Sequence, residues 1–358
     1  MPATNTDSYQ FQERQKCKEK MDQKLENLPQ VCSYFLYDKL LGPSQMRPRT
    51  ALAYAGDLEN FFYYLKERNP LCKELQIKDI PIELLESLTV DDLEEYYKYL
   101  SGYTRNGKYY ENGPAAKKRK ISAVSTFYQY LERKHYLKGN PCKLLDEGRI
   151  IEEPIIALTA AQQNAYLDEI ELDLHNNSER SKRIRENYTK LRNIAIIYFF
   201  LGTGVRVSEL VGVDMSDIDL ENESVYITRK GNKHAILSFG PEVTQALKDY
   251  IEYSRPKMMP GEDSPDANAL FFSMKKRRIT VRQVENIVKD PAKIVFGDGT
   301  KICCHKLRST HGTILLASTN DISLVAEQLG HFSIETTKRR YTLIEDLREI
   351  PQHIKIRR

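Results

Sequence analysis

The sequence predicts a mainly α-helical protein with a small antiparallel β-sheet, divided into two domains. Its 358 residues are about twice the usual length of one domain. Apolar residues recur at helical spacing through most of the chain. Between residues 224 and 239 the pattern changes to strand-like alternation on either side of Gly231-Asn232, which is a turn signal.

The composition is that of a globular protein with a real core. The hydrophobic fraction is 41%, the charged fraction is 29% and the net charge is +4, which excludes wholesale disorder and collagen-like structure. The longest apolar run, Ile194–Leu201, is far shorter than the roughly 20 residues that span a bilayer. Because no apolar signal segment follows Met1, we expect a cytoplasmic protein that makes no use of a membrane.

The six cysteines are predicted to be reduced thiols, since no secretory signal precedes them. The adjacent Cys303, Cys304 and His305 lack a CxxC partner pair elsewhere in the chain. No metal site and no cofactor are therefore predicted.

The first domain is predicted to be helical and to cover residues 26–145. Residues 1–25 are polar and are treated as an N-terminal extension, which a frayed helix or a disordered arm would both explain. A helix over 49–68 is indicated by an apolar stripe formed by Tyr54, Leu58, Phe61 and Leu65. Thr89 is predicted to cap a helix that ends near Leu100. The turn-rich segment 102–113 precedes a further predicted helix over 114–136, so the first domain is predicted to be all-helical.

Residues 146–156 are predicted to be an extended linker, because Pro154 disfavours a helix before it. The second domain, 157–342, begins with a helix capped at Thr159. A polar surface excursion follows near 173–185, and then a buried helix that ends at Gly202. The strands are predicted at 224–229 and 233–239. Further helices are predicted over 241–253, 281–288, 305–317, 322–329 and around 335–341.

The positive charge is concentrated in two segments. Residues 101–143 hold ten Lys and Arg against two Asp and Glu, a local +8, and residues 271–310 hold ten against three, a local +7. One such run is more often a solvated surface, but one in each domain predicts contact with a phosphate backbone. The candidate DNA-contacting residues are Lys117, Lys118, Arg119, Lys120, Lys275, Lys276, Arg277, Arg278 and Arg282.

Six residues of the second domain form a chemically coherent set, although each alone is unremarkable. They are Arg206, Lys230, His305, Arg308, His331 and Tyr341. Two arginines can grip a phosphate in bidentate geometry, two histidines can hydrogen-bond or move protons, a lysine can protonate a leaving oxygen, and a tyrosine can be a nucleophile. Together they predict phosphoryl transfer that needs no metal, with a transition state stabilised by positioned cations.

In these motifs the chain resembles the tyrosine recombinases, also called the lambda integrase family. The matching segments are Gly202–Leu210, Lys230–Lys233, His305–Arg308, Leu329–His331 and Thr336–Thr342. The likeness extends from about Arg47 to Tyr341. It implies a two-domain clamp, made of a helical core-binding domain and a catalytic domain. The two basic segments predict that the inner faces of this clamp are basic.

The resemblance also implies a role for each residue. Arg206 and Arg308 would clamp the scissile phosphate, Glu209 would orient Arg206, and His331 would hydrogen-bond the phosphate. Lys230 would protonate the leaving 5′-hydroxyl and His305 would assist proton transfer. Tyr341 would form a 3′-phosphotyrosyl link, so that religation needs neither ATP nor a metal.

The sequence departs from the family pattern at one important place. Tyr341 follows His331 by ten residues where nine are usual. On a continuous helix the extra residue would rotate the tyrosine by about 100°, so a loop or bulge before Tyr341 is expected. Ser309 stands where the family often has His. The amphipathic tail 343–358 is expected either to dock on a neighbouring protomer or to pack on its own domain.

The function implied is site-specific recombination of DNA through a Holliday junction. The partner would be a duplex site with inverted repeats, bound by a homotetramer of two dimers whose protomers are monomeric when free. Integration and excision of a mobile element and DNA resolution are equally compatible with these residues. The alternatives are a type IB topoisomerase-like relaxing enzyme and a non-catalytic DNA-binding relative. A metal-dependent carboxylate nuclease would need clustered acidic residues, and the sequence shows no recognisable set.

Overall fold

The computed structural model describes residues 9–43, 45–145, 157–172, 184–229, 233–330, 334, 335 and 337. The chain divides into two compact units, Met1–Glu152 and Glu153–Arg358. Helices predominate in both, and the strands form two small antiparallel sheets. The predicted fold class, mainly α with a small antiparallel sheet, is confirmed in this respect. None of the helices in the described ranges combines the length and the apolar character needed to cross a membrane.

The first unit is built around one long central helix. Its elements are α1 (Tyr9–Leu25), α2 (Gln30–Leu41), α3 (Pro48–Arg68), α4 (Ile82–Ser87), α5 (Val90–Tyr99), β1 (Gly102–Arg105), β2 (Lys108–Glu111) and α6 (Pro114–Arg133). Helix α3 packs against α1, α2 and α6. Its predicted stripe is correct, since Leu58, Phe61 and Leu65 are buried in the core and Tyr54 packs against it.

Two predictions for this unit need correction. Helix α1 is not an appendage, because Met21 and Leu25 are buried in the same core as α3. The unit is not all-helical, because its turn-rich segment contains a β-hairpin in which β1 and β2 pair around Asn106-Gly107. Both turn residues have positive φ, 51° and 73°, as a two-residue hairpin turn requires. Tyr103 of β1 stacks on Tyr99 of α5 with ring centroids 4.8 Å apart, which fixes the hairpin to the helical core.

The predicted cap of α5 is present. The Thr89 side chain accepts a hydrogen bond from the Asp92 backbone, and the Asp92 carboxylate accepts one from the Thr89 backbone. This reciprocal arrangement satisfies two amide groups that a helix start leaves without partners.

The second unit combines helices with a three-stranded sheet. Its helices are α7 (Ala160–Leu172), α8 (Lys190–Thr203), α9 (Val207–Val211), α10 (Pro241–Asp249), α11 (Arg255–Met258), α12 (Val281–Phe296), α13 (Cys304–Thr319) and α14 (Ile322–Leu329). The strands are β3 (Ile218–Asp219), β4 (Ser224–Arg229) and β5 (Lys233–Ser238), in the order β3-β4-β5 and all antiparallel. Helix α12 continues past the predicted end at 288 and contains Pro291.

Helix α8 is the apolar centre of this unit. It contacts α10 and α13, and its residues from Ala195 to Thr203 are all buried. Its carboxyl end is capped by Gly204, which has φ 64°. The chain then turns directly into α9, so that Arg206 is placed at the start of that short helix.

Candidate active site

The structure describes four of the seven residues that were predicted to act in catalysis. Arg206, Glu209, His305 and Arg308 lie in the described part of the chain, whereas Lys230, His331 and Tyr341 lie outside it. The tail 343–358 and the effect of the ten-residue His331–Tyr341 spacing also lie outside it.

Arg206 and Glu209 form a reciprocal pair at the start of α9. The Glu209 carboxylate accepts the Arg206 backbone N–H at 2.8 Å with one oxygen and the Arg206 Nη1–H at 2.7 Å with the other. The Glu209 side chain is only 5% exposed, while that of Arg206 is 37% exposed. A buried carboxylate therefore holds one edge of the guanidinium and leaves part of it open to solvent.

Arg308 is buried on α13, and its guanidinium bridges two other elements. It donates one hydrogen bond to the carbonyl of Gly204 at 2.5 Å and another to the carbonyl of Leu329. His305, one helical turn earlier on α13, is exposed. Arg308 thus connects the turn before Arg206 with the end of α14, where the Leu-Gly-His motif begins.

Gly204 is required for this close approach. A Cβ at this position would lie 2.5 Å from Cδ2 of His311 and 2.9 Å from a methyl carbon of Leu329. Its φ of 64° is also in the left-handed region, which residues with a side chain rarely adopt. The glycine therefore lets the α8–α9 turn lie directly against α13 and α14.

Three arginines converge on the carboxyl end of α14. Arg229 donates to the carbonyls of Glu327 and Gln328, at 2.8 and 2.5 Å. Arg308 donates to the carbonyl of Leu329 and Arg206 to that of Gly330, the latter at 3.1 Å. The carbonyl end of a helix carries partial negative charge and leaves its last acceptors unpaired, so it attracts cations.

Arg229 was not among the predicted site residues. It is the last residue of β4, and it contacts residues about 98 positions later in the chain. The sequence offers one weak signal for it, since Arg229 directly precedes the candidate Lys230. Its partners on α14 could not be read from sequence.

His311 is a second residue whose place the sequence did not indicate. It lies on α13, 1% exposed, and its Nδ1 is 2.8 Å from the Leu201 carbonyl, to which the imidazole donates. Among the described residues, its buried Nε2 has no hydrogen-bond partner. Burial lowers the pKa of His311 to about 4, so the ring is neutral at physiological pH.

The basic segment of the second unit divides into exposed and buried residues. Lys275, Lys276 and Arg277 are exposed, and so is Arg282, which lies 3.7 Å from Glu285. Arg278 was predicted to be a DNA-contacting residue, but its side chain is only 5% exposed.

The Arg278 guanidinium contacts Asp214 at 2.5 Å and donates to the carbonyls of Val211 and Val213. A β-bridge between Phe272 and Arg278 directs it inward. These contacts give the Arg278 guanidinium partners within the fold.

The basic run of the first unit lies at the start of α6. Lys117 lies over the Tyr97 ring, 4.4 Å from its centroid, and donates to Ser101 Oγ. Arg119 and Lys120 both pair with the buried Asp57 of α3. Burial lowers the pKa of Lys120 and raises that of Asp57. The Lys120 side chain is therefore paired inside the unit. Lys117, Lys118 and Arg119 retain partly or largely exposed side chains.

The chemical character of the site is cationic. Arg206, Arg229 and Arg308 meet at one end of α14. Within the described ranges no group of three or more His, Cys, Asp or Glu side chains is placed to hold a metal ion. Fixed guanidinium groups of this kind suit a substrate that gains negative charge in its transition state, as a phosphodiester does.

Comparison with known proteins agrees with this chemistry. Residues 168–348 match the model of the phage integrase family. The tyrosine recombinase XerC of Caldanaerobacter subterraneus subsp. tengcongensis is 34% identical over 307 residues, which cover 84% of this chain and 79% of that protein. The tyrosine recombinase XerS of Lactococcus lactis subsp. cremoris is 29% identical over 346 residues, 89% of this chain and 94% of that protein.

Solved structures share the fold. The XerH recombinase bound to palindromic difH substrate superposes with a TM-score of 0.60 at 19% identity, over 93% of this chain and 92% of that chain. The Tn1549 transposon integrase in complex with a circular intermediate DNA gives 0.61 at 18% identity, over 87% and 94%. The family model covers half of the chain and the XerC likeness most of it, so this chain belongs to the phage integrase family of tyrosine recombinases.

Proposed function

We propose that this protein is a site-specific recombinase that cuts and rejoins duplex DNA through a phosphotyrosyl intermediate. The observation that carries the proposal is the convergence of Arg206 and Arg308 on the Leu329-Gly330 turn. Membership of the phage integrase family supports it, as do the DNA-bound states of the structurally similar XerH and Tn1549 proteins.

The chemistry follows from the residue types. The Tyr341 hydroxyl attacks the scissile phosphorus, a bond from its oxygen to phosphorus forms, and the bond to the 5′ oxygen breaks. Lys230 gives a proton to that leaving oxygen, and His305 assists the loss of the tyrosine proton. Arg206, Arg308 and His331 stabilise the negative charge on the non-bridging oxygens. Attack by a 5′-hydroxyl reverses the step, so religation consumes no nucleotide cofactor.

The partner we propose is a cytoplasmic duplex site with inverted repeats, bound by a tetramer of two dimers. Each unit contributes exposed lysines and arginines to contacts with the phosphate backbone. The biological outcome is integration and excision of a mobile element or resolution of joined DNA molecules. A plasmid with two directly repeated sites measures excision, and two plasmids with one site each measure integration.

The test uses a library of nicked duplexes with randomised arms on both sides of the nick. Wild-type protein and Tyr341→Phe are incubated with the library, and covalent protein–DNA adducts are recovered and sequenced. We expect adducts with one enriched site from the wild type and none from Tyr341→Phe. Tyr253→Phe is the matched control, because Tyr253 is an exposed tyrosine of the same unit. Equal adduct yields from wild type and Tyr341→Phe would refute the assignment of the nucleophile.

A second assay, with the enriched site and a supercoiled plasmid, separates recombination from simple relaxation. A recombinase joins the ends of two enriched sites and leaves a supercoiled plasmid without the site unchanged. An enzyme of the topoisomerase type relaxes the plasmid without the site and reseals the cut strand, but it does not join two sites.

A further inference from the structure

The end of strand β4 is attached to the end of helix α14 through one side chain. Arg229 is the last residue of β4, and its two terminal nitrogens donate to the carbonyls of Glu327 and Gln328 at 2.8 and 2.5 Å. Two parallel hydrogen bonds from one planar group fix both distance and orientation, which a single bond cannot do.

The turn after α14 is shaped to receive this guanidinium. Gly330 has φ 58°, and a Cβ there would lie 2.6 Å from Nη1 and 2.8 Å from Cζ of Arg229. The guanidinium therefore packs directly on the glycine backbone. Gly330 also accepts a hydrogen bond from Arg206 through its carbonyl at 3.1 Å.

The sequence gives this contact its significance. Lys230 directly follows Arg229 in the sequence, and His331 directly follows Gly330. The contact thus holds together Arg229, which precedes the proposed proton donor, and Gly330, which precedes the proposed phosphate ligand. Burial lowers the pKa of Arg229, while the nearby Glu209 raises it. A guanidinium remains charged under such conditions.

We infer that Arg229 is a positioning residue for proton donation by Lys230. It fixes the end of β4 against the end of α14. The distance between the two chain positions that precede Lys230 and His331 is therefore held constant. This inference rests on the proposed function, which gives Lys230 the proton-donating role. It assigns Arg229 no contact with DNA.

The test compares two versions of the duplex enriched by the wild-type protein from the nicked library. One has an ordinary scissile phosphate, and the other has sulfur in place of the bridging 5′ oxygen. Thiolate leaves without a proton, so the sulfur substrate needs no general acid. We expect Arg229→Ala to cleave the oxygen substrate about 10²-fold more slowly than the wild type. The sulfur substrate should restore cleavage to near the wild-type rate, as it should for Lys230→Ala. Arg229→Lys, which keeps the charge but not the fork, should show the same pattern with a smaller defect.

Arg255→Ala is the matched control for lost structure. Arg255 is buried in the same unit and likewise donates to backbone carbonyls, those of Ala269 and Leu270. Any defect of Arg255→Ala should be equal on both substrates. If Lys230→Ala is rescued by sulfur but Arg229→Ala and Arg229→Lys are not, the role inferred for Arg229 is wrong and the proposed function stands. If Lys230→Ala is not rescued, the proton-donating role of Lys230 fails, and the inference fails with it.

Discussion

The Glu209 carboxylate holds Arg206 at two points, the backbone N–H at 2.8 Å and the guanidinium Nη1 at 2.7 Å. Because Glu209 is buried and Arg206 is partly exposed, the pair fixes the guanidinium without covering it. The backbone N–H that it accepts lies at the start of α9, where a helix leaves amides without partners. One carboxylate therefore caps the helix and holds the guanidinium.

Glu209→Gln is expected to slow DNA cleavage about tenfold. The amide keeps the size of the carboxylate but loses its charge, and a charge-assisted hydrogen bond contributes about 1.5 kcal/mol. The measurement is the rate of covalent adduct formation at saturating DNA. Glu262→Gln, an exposed acid of the same unit, is the control. An unchanged rate in Glu209→Gln would show that Arg206 is held by its other contacts alone.

Gly204→Ala is expected to lower the free energy of unfolding by about 2–5 kcal/mol. The left-handed backbone costs about 1–2 kcal/mol with a side chain present, and the clash with His311 and Leu329 adds about 1–3 kcal/mol. Urea unfolding followed by circular dichroism measures the loss. Gly107→Ala, in the first unit, is the control, since Gly107 has φ 73° and open space around the added methyl. Equal losses in the two variants would mean that crowding at Gly204 contributes nothing.

Replacing Lys275, Lys276 and Arg277 together with Gln should weaken the salt dependence of DNA binding. Each phosphate contact contributes about 0.9 to the slope of log K against log salt concentration, so the slope should fall in magnitude by up to about 3. Fluorescence anisotropy with a random-sequence duplex at several salt concentrations gives the slope. An unchanged slope would mean that these exposed residues do not contact DNA.

Arg278→Met should change the stability of the protein and not the salt dependence of DNA binding, although Arg278 belongs to the same basic run. It leaves the Asp214 carboxylate and two backbone carbonyls without their donor, so the protein should be destabilised by about 3 kcal/mol. The salt slope should stay that of the wild type. A reduced slope in folded Arg278→Met would contradict its structural role.

The stability of the second unit should fall as the pH is lowered from about 6.5 to about 4. The pKa of His311 is about 4 in the folded protein and near 6.5 when unfolded. The unfolded chain therefore binds a proton first, and the stabilisation is complete above pH 6.5 and lost as the pH falls toward 4. The loss from this group is up to about 3 kcal/mol. Urea unfolding of wild type and His311→Gln across this range isolates it, with the exposed His234→Gln as control. An identical pH dependence in wild type and His311→Gln would exclude His311 as the cause.

Local patterns in the sequence predicted most of the elements, because these depend on near neighbours. The stripe of α3 and the capping residue Thr89 are of this kind. The hairpin at 102–111 was missed, although Asn106-Gly107 is a strong turn signal, because its strands are only four residues long and rich in polar residues.

The tertiary parts of the site could not be predicted in the same way. Arg278 stands in a run of four basic residues, and its tertiary contacts with Asp214, Val211 and Val213 distinguish it from the exposed three. Arg229 meets α14 across about 98 residues of sequence. Tertiary packing decides which of several arginines faces solvent, a carboxylate or a helix end. Local sequence patterns carry no information about that packing.

The three arginines at the end of α14 have a consequence for the thermodynamics of DNA binding. An arginine side chain has about 2 kcal/mol of rotamer entropy. The carbonyls of Gly330 and Leu329 already restrict Arg206 and Arg308, the two that are proposed to bind the phosphate, in the protein without DNA. Most of the ordering of these side chains therefore takes place when the chain folds, and little of it remains to oppose the arrival of the phosphate.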